Sequence, residues 1–345
     1  MARICIYGVG AIGGLVAARL ALAGEQVTGI ARGAQLDAIR KNGLTLVAGG
    51  ERSTARFSCF ESPAEAGIQD FVLLTLKSHA LPGIVRSIGP LLGPGTTVVT
   101  ACNGLPWWYF YGASTDGRDE TLESVDPGGH LWRTIGPERA LGCVVYPAAR
   151  VVEPGIVEHV FGDRFSLGEP MGDLSGDPSG AAGVNPVRES RVNADPRIIE
   201  LAKILAGAGF DAPLAEDIRA EIWIKLVANA AYNPVSILTG GVLAQMLDDP
   251  EVSGLLQAMM NESVAVAAAL GVTLPLTPAQ LLDATRPFGA HRTSMLQDLD
   301  AGRSVELDPI VFAVTELARR YGLETPLLDT IAALAAQRAR LTGCY

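Results

Sequence analysis

GVGAIG, residues 8–13, spaces its glycines as GxGxxG. A β-branched run, ARICIY (2–7), precedes it, and an apolar helical pattern, AIGGLVAARLALAG (11–24), follows. That strand–loop–helix context is what the motif's chemistry requires. Gly8 permits a tight turn, Gly10 lets backbone approach a pyrophosphate, and Gly13 allows close packing of helix on strand. The helix N-terminus then faces the phosphates. Gly8, Val9, Gly10, Ala11, Ile12 and Gly13 are therefore cofactor-binding candidates, against the plainer reading of a βα turn with no ligand. The next strand-like run ends QVTGIARG (26–33), with Arg32 where a site for an unphosphorylated dinucleotide usually has Asp or Glu. Its guanidinium suits a 2′-phosphate through charge-assisted hydrogen bonds, which favours NADPH/NADP+ over NAD. The competing reading is a solvated loop arginine.

A second stretch raises a different chemistry. In AEIWIKLVANAAYNPVS (220–236), Lys225, Asn229 and Asn233 interrupt an otherwise apolar helical pattern. At about 100° of rotation per residue the three lie on one face, each about 40° beyond the last. A buried lysine without a partner costs several kcal/mol, so this ammonium reaches water or serves a ligand. Lys77 in TLKSH and Asn103 in TACNG close two more strand-like runs. Ligands of doubly wound sheets bind outside the carboxyl ends of the strands, so both residues either meet a ligand or merely end their strands.

These side chains need a scaffold. ARICIY (2–7), QVTGI (26–30), DFVLLTL (70–76) and TVVTA (97–101) read as strands buried on both faces, with helices between them. The alternation predicts an α/β fold with a doubly wound parallel sheet. Strand-like pieces at 140–152, 155–161 and 164–170 have hairpin spacing and could extend that sheet. Residues 106–137 form an irregular insertion of aromatic residues and turn formers, and 171–196 read as a surface loop. A helix is expected at 196–209. From about 217 onward helical patterns dominate, at 217–233, 249–270, 277–285, 308–321 and 326–341. The expected division is 1–216, a cofactor-binding domain carrying the insertion, and 217–345, an all-α domain for substrate and catalysis. Met259 and Met260 read as core filling.

Composition narrows the classes. With 345 residues, 48% hydrophobic and 19% charged, the chain is globular. A net charge of −10 opposes nonspecific binding to nucleic acid or to an anionic membrane. No apolar run approaches the ~20 residues of a membrane span, and MARICIYGVG (1–10) reads directly into a strand, without the h-region or small-residue cleavage site expected of a signal peptide. Five scattered cysteines form no metal-ligand spacing, which points to a reduced, cytoplasmic protein without a metal site.

Taken together, GVGAIG, Lys77 in TLKS, Asn103 in CNG, WIKLVANAAYNPVSILTG (223–240) and RTSMLQDLDAGRSVELD (292–308) resemble ketopantoate reductase, the 2-dehydropantoate 2-reductase family. The likeness runs through most of the chain in order. It implies an N-terminal Rossmann domain, a C-terminal helical domain and NADPH-dependent reduction of ketopantoate to D-pantoate, in the route to pantothenate and coenzyme A. By the same resemblance Lys225 is the general acid, Asn229 and Asn233 hold substrate oxygens, and Ser294 contacts the carboxylate. Glu306 helps fix substrate and active-site charge, while Lys77 and Asn103 stand at the cofactor–substrate junction. The residue types agree with the chemistry, since an ammonium can stabilise and protonate the oxygen left when hydride adds to a 2-keto carbon.

Plainer roles remain open for each. On the plainer readings Lys225 snorkels from a partly buried face, Asn229 satisfies a neighbouring backbone group, and Asn233 simply precedes a helix break at Pro234. Ser294 would then be a helix cap and Glu306 a solvated carboxylate. The sequence also departs from the family. The 103–132 stretch is an aromatic and acidic insertion whose Trp107, Trp108 and Tyr109 either select a bulkier substrate or pack on the sheet or a partner. A further asparagine that some members carry about ten residues after Asn233 is missing here. Alternatives to the ketopantoate reading are therefore a paralogue for a bulkier 2-keto acid and a non-catalytic NADP-binding sensor. The helical second half is compatible with a homodimer.

Overall fold

A computed structural model describes residues 1–112, 121–170 and 195–345; most of the expected 171–196 loop, and residues 113–120 of the insertion, lie outside the described residues. The chain divides into two compact units. The first is built from Met1–Cys102, Trp108–Glu120 and His130–Ile218, the second from Asn103–Trp107, Thr121–Gly129 and Arg219–Tyr345.

Strands of the first unit run in chain order β1 (Arg3–Tyr7), β2 (Gln26–Ile30), β3 (Leu44–Ala48), β4 (Glu51–Ala55), β5 (Ser58–Phe60), β6 (Phe71–Leu74), β7 (Thr97–Thr100), β8 (Ala140–Val145), β9 (Ala148–Glu153), β10 (Ile156–Phe161) and β11 (Phe165–Gly168). Seven of them form one sheet in the order β11-β8-β7-β6-β1-β2-β5, parallel except for β11. The four strands read from buried apolar runs are β1, β2, β6 and β7, each fully or mostly buried. This is a Rossmann-type sheet. Its order reverses at β1, so the glycine loop leaves the sheet at the switch point where such sheets bind ligands.

Two strands differ from expectation, and two more, β3 and β4, were not expected. β8 and β11 extend the main sheet, but β9 and β10 join β3 and β4 in a separate sheet ordered β4-β3-β10-β9. The cause lies in the helix Ala11–Leu22, whose Gly13 to Ala18 and Leu20 are all buried. A helix apolar on every side needs a second cover besides the main sheet. The smaller sheet supplies it, so closely that a Cβ at Gly14 would lie 2.7 Å from Val157.

The second unit is helical among its described residues: Ile218–Thr239, Leu243–Asp248, Pro250–Ala269, Pro278–Thr285, Ser294–Asp300, Ala313–Arg320 and Pro326–Leu341. Asp249 and Thr277 cap two of these, each with proline in the first turn. Met259 and Met260 are fully buried core residues. The helix from Ile218 continues through Pro234 to Thr239, past the break expected after residue 233. Burial of Val235, Ser236 and Ile237 holds that last turn together despite the missing proline N–H. No helix among the described residues is long and apolar enough to cross a membrane.

Glu316 ties the 121–129 segment to this unit. Its carboxylate accepts from the Ser124 N–H at 2.9 Å, the Ser124 hydroxyl at 2.7 Å and the Glu123 N–H at 3.0 Å. Burial raises the pKa of this carboxyl, but those donors and Arg320 outweigh it and the net direction is down. A lowered carboxyl pKa adds stability above its unfolded value that is lost as pH falls through the folded one. Glu316→Gln is therefore expected to melt below the parent at neutral pH, with the gap closing in acid. Equal melting temperatures at neutral pH would contradict this.

Candidate active site

In the first unit, β1 lies between β2 and β6, with Tyr7 opposite Ile30 and Leu74. That register brings the exits of three strands to one edge: Gly8 after β1, Arg32 after β2, and Thr75 to Lys77 after β6. The Gly8 and Val9 N–H groups both donate to the Ile30 carbonyl, at 3.0 and 3.2 Å. The Thr75 hydroxyl donates to the Gly8 carbonyl at 2.9 Å. Gly8 has φ +103, open to glycine and strained for other residues. A Cβ on Gly13 would sit 2.2 Å from the Gly8 carbonyl oxygen, whereas one on Gly10 would meet nothing within 4 Å. So Gly13 is required by packing, and Gly10 leaves open space beside the backbone.

Gly10 caps the helix Ala11–Leu22 without any side-chain bond. Among the described residues the N–H groups of Ala11, Ile12 and Gly13 donate to nothing. Open space beside free amides at a helix N-terminus fits a dinucleotide pyrophosphate. Arg32 caps the helix Gly33–Asn42 in an extended conformation, and its exposed side chain has no partner among the described residues. Lys77 is half-buried just past β6.

Two residues that fix this loop went unnoticed in the sequence. Thr75 is one. Gln35 is the other: its amide donates to the Val9 carbonyl at 3.0 Å and accepts from the Gly155 N–H at 2.9 Å. Only the polar break in FVLLTLK hints at Thr75, and nothing local marks Gln35.

The second unit assembles the other candidates. Lys225, Asn229 and Asn233 share a face of the helix Ile218–Thr239, the first two half-buried and the third 3% exposed. The Lys225 ammonium donates to Asn103 Oδ1 at 2.8 Å, across 122 residues of sequence. Asn103 belongs to the same unit as Lys225. Gly104, at φ +88, approaches Pro309 so closely that a Cβ would sit 2.4 Å from its carbonyl oxygen. That carbonyl accepts from the Leu105 N–H at 2.9 Å. The backbone just after Glu306 thus fixes the turn that aims Asn103 at Lys225. Glu306 is 5% exposed, so it is not a solvated carboxylate.

The Asn229 side chain has no hydrogen-bond partner among the described residues. Asn233 Nδ2 is buried and likewise without one. A buried amide donor left unmade costs about 1–3 kcal/mol, which makes it a place to look for a ligand's acceptor. Nearby, the Ser236 hydroxyl donates to the Asn233 carbonyl at 2.7 Å and lies 2.6 Å from Thr293 Oγ1. Thr293, not Ser294, caps the helix Ser294–Asp300. Ser294 is exposed at its first position, free of the capping task. Of the insertion's aromatic residues, Trp107, Trp108 and Tyr109 are buried, at most 2% exposed.

Sequence comparison places this geometry among known proteins. The family described as Ketopantoate reductase PanE/ApbA matches residues 4–172, and Ketopantoate reductase PanE/ApbA C terminal matches 217–339. The chain is 44% identical over 344 residues to the 2-dehydropantoate 2-reductase of Mesorhizobium japonicum, covering 99% of each. A crystal structure from Ralstonia solanacearum MolK2, assigned as a ketopantoate reductase, is 38% identical, covers all of both chains and superposes with TM-score 0.88. A D-mandelate dehydrogenase in ternary complex with NADH and anilino(oxo)acetate shares the fold, with TM-score 0.80 over 99% of this chain and all of that one at 20% identity.

Proposed function

Since the chain belongs to the ketopantoate reductase family, we propose that it reduces a 2-keto acid with NADPH, and that its substrate is 2-dehydropantoate, yielding D-pantoate. The observation that carries this reading is the Lys225–Asn103 hydrogen bond of 2.8 Å on the helix face that also presents Asn229 and the unsatisfied Asn233 amide. The name of the Mesorhizobium relative supports the choice of substrate.

The chain's own residues then divide the work. The free amides of Ala11, Ile12 and Gly13 hold the pyrophosphate, Arg32 takes the 2′-phosphate, and Lys77 stands toward the nicotinamide end. When bound, the reduced nicotinamide supplies the hydride that adds to the C2 carbonyl carbon. Lys225 stabilises the negative charge gathering on the carbonyl oxygen and donates the proton that completes the hydroxyl. Asn103, by accepting from Lys225, fixes where the ammonium points. Asn229 and Asn233 donate to substrate oxygens, Ser294 to the carboxylate, and Glu306 balances the site's positive charge and orients substrate donors.

Product analysis tests the reaction. With 2-dehydropantoate and NADPH the purified protein should form D-pantoate mole for mole with oxidised cofactor. Cofactor oxidation without the hydroxy acid would contradict it. Arg32→Ala tests the cofactor. Losing the charge-assisted bonds should weaken NADPH binding about 10-fold to 100-fold while NADH binding stays unchanged. Equal weakening of both by titration would remove Arg32 from the 2′-phosphate.

A further inference from the structure

We propose that Tyr345 is a positioning residue for the reduction, clasping the segment that carries Glu306 and seats the Asn103 turn; the inference rests on the functional reading above. Glu306 is buried between two anchor points made by consecutive residues. On one side the Val305 N–H donates to the Cys344 carbonyl at 2.9 Å. On the other the Tyr345 hydroxyl donates to Asp308 Oδ1 at 2.6 Å. The Tyr345 ring stacks on Phe312, with centroids 6.4 Å apart and planes 27° apart, and the Arg340 guanidinium lies 5.2 Å from its centroid. Burial first, then the Asp308 carboxylate, raise the pKa of this phenol, so it remains a donor.

What the clasp encloses is Asp308–Phe312, a π-helical turn. Such turns are rare and are frequent at functional sites. This one includes Pro309, whose carbonyl receives the Leu105 N–H and touches Gly104. Asn103 follows directly, and through it the Lys225 ammonium. A shift at Asp308 therefore reaches the proton donor through Pro309 and the 103–105 turn, all within one compact unit. Tyr345 touches none of the proposed reacting groups, and acts by holding what positions them.

The test compares Tyr345→Phe, Asp308→Ala, their double variant and Asp308→Asn with the parent and Lys225→Ala, in 2-dehydropantoate reduction. Tyr345→Phe keeps the ring and loses the bond, and small displacements of reacting groups are costly, so kcat should fall about threefold to tenfold. NADPH affinity should be unmoved, the double variant no worse than the poorer single one, and Asp308→Asn, which keeps an acceptor, close to the parent. Parental kcat in Tyr345→Phe, beside an inactive Lys225→Ala, would overturn the clasp alone and leave the functional reading standing. So would a lower melting temperature with parental kcat per folded molecule. Parental turnover in Lys225→Ala would overturn both.

Discussion

Lys225→Ala is expected to lower kcat by about three orders of magnitude or more and to leave NADPH affinity within about twofold. The size follows from two contributions lost together. Proton donation contributes about 10²–10⁴-fold, and a charge aimed at a developing oxyanion contributes about 10²–10³-fold. Cofactor affinity is spared because the proposed phosphate contacts come from the 8–13 loop and Arg32. The variant also leaves Asn103 Oδ1 without its 2.8 Å donor. Steady-state kinetics beside a cofactor titration checks both halves. A loss confined to KM would make Lys225 a binding group, and no loss would remove it from the chemistry.

The second large effect is expected at the glycine loop, where two neighbouring substitutions should behave differently. Gly13→Ala places a methyl 2.2 Å from the Gly8 carbonyl oxygen and 2.4 Å from Thr75 Oγ1. Neither is the far end of a flexible side chain, so the loop or the helix must move. Overpacking of this kind costs about 1–3 kcal/mol, and a displaced loop loses the amide geometry that meets the phosphates. Gly13→Ala should therefore melt lower and bind NADPH at least about tenfold more weakly. Gly10→Ala meets no atom within 4 Å, and its φ of −90 with ψ −141 falls outside the favoured regions of L residues, so it should melt only slightly below the parent and well above Gly13→Ala. Its methyl enters the space left for the pyrophosphate, so its main loss should be cofactor affinity. Normal NADPH binding in both variants would place the dinucleotide elsewhere.

Four central strands of the main sheet, β1, β2, β6 and β7, were legible because they are buried and read as apolar runs, whereas the three-residue edge strand β5 (SCF) left no such run. The glycine loop was legible because only one local context suits its mechanism. Lys225, Asn229 and Asn233 stood out because a four-residue spacing aligns them on a helix. What escaped depends on distant partners. β4 reads ERSTA and is exposed at four of five positions, so its only local mark is the Gly49–Gly50 turn, with φ +57 and +84. β10 chooses its sheet by pairing with β3, more than a hundred residues earlier. Pro234 suggested a helix end because local propensity was read without the burial that overrides it. The link from Asn103 to Lys225 spans 122 residues and that from Gln35 to Gly155 spans 120. No spacing rule reaches that far.

The proposed reaction is reduction of 2-dehydropantoate with NADPH. The most direct measurement is the initial rate of NADPH oxidation by purified protein given 2-dehydropantoate, beside a panel of bulkier 2-keto acids and NADH as alternative cofactor. Fast turnover of 2-dehydropantoate with NADPH is expected, with much poorer rates for NADH and the bulkier acids. Tight NADPH binding with no oxidation across the whole panel would contradict it.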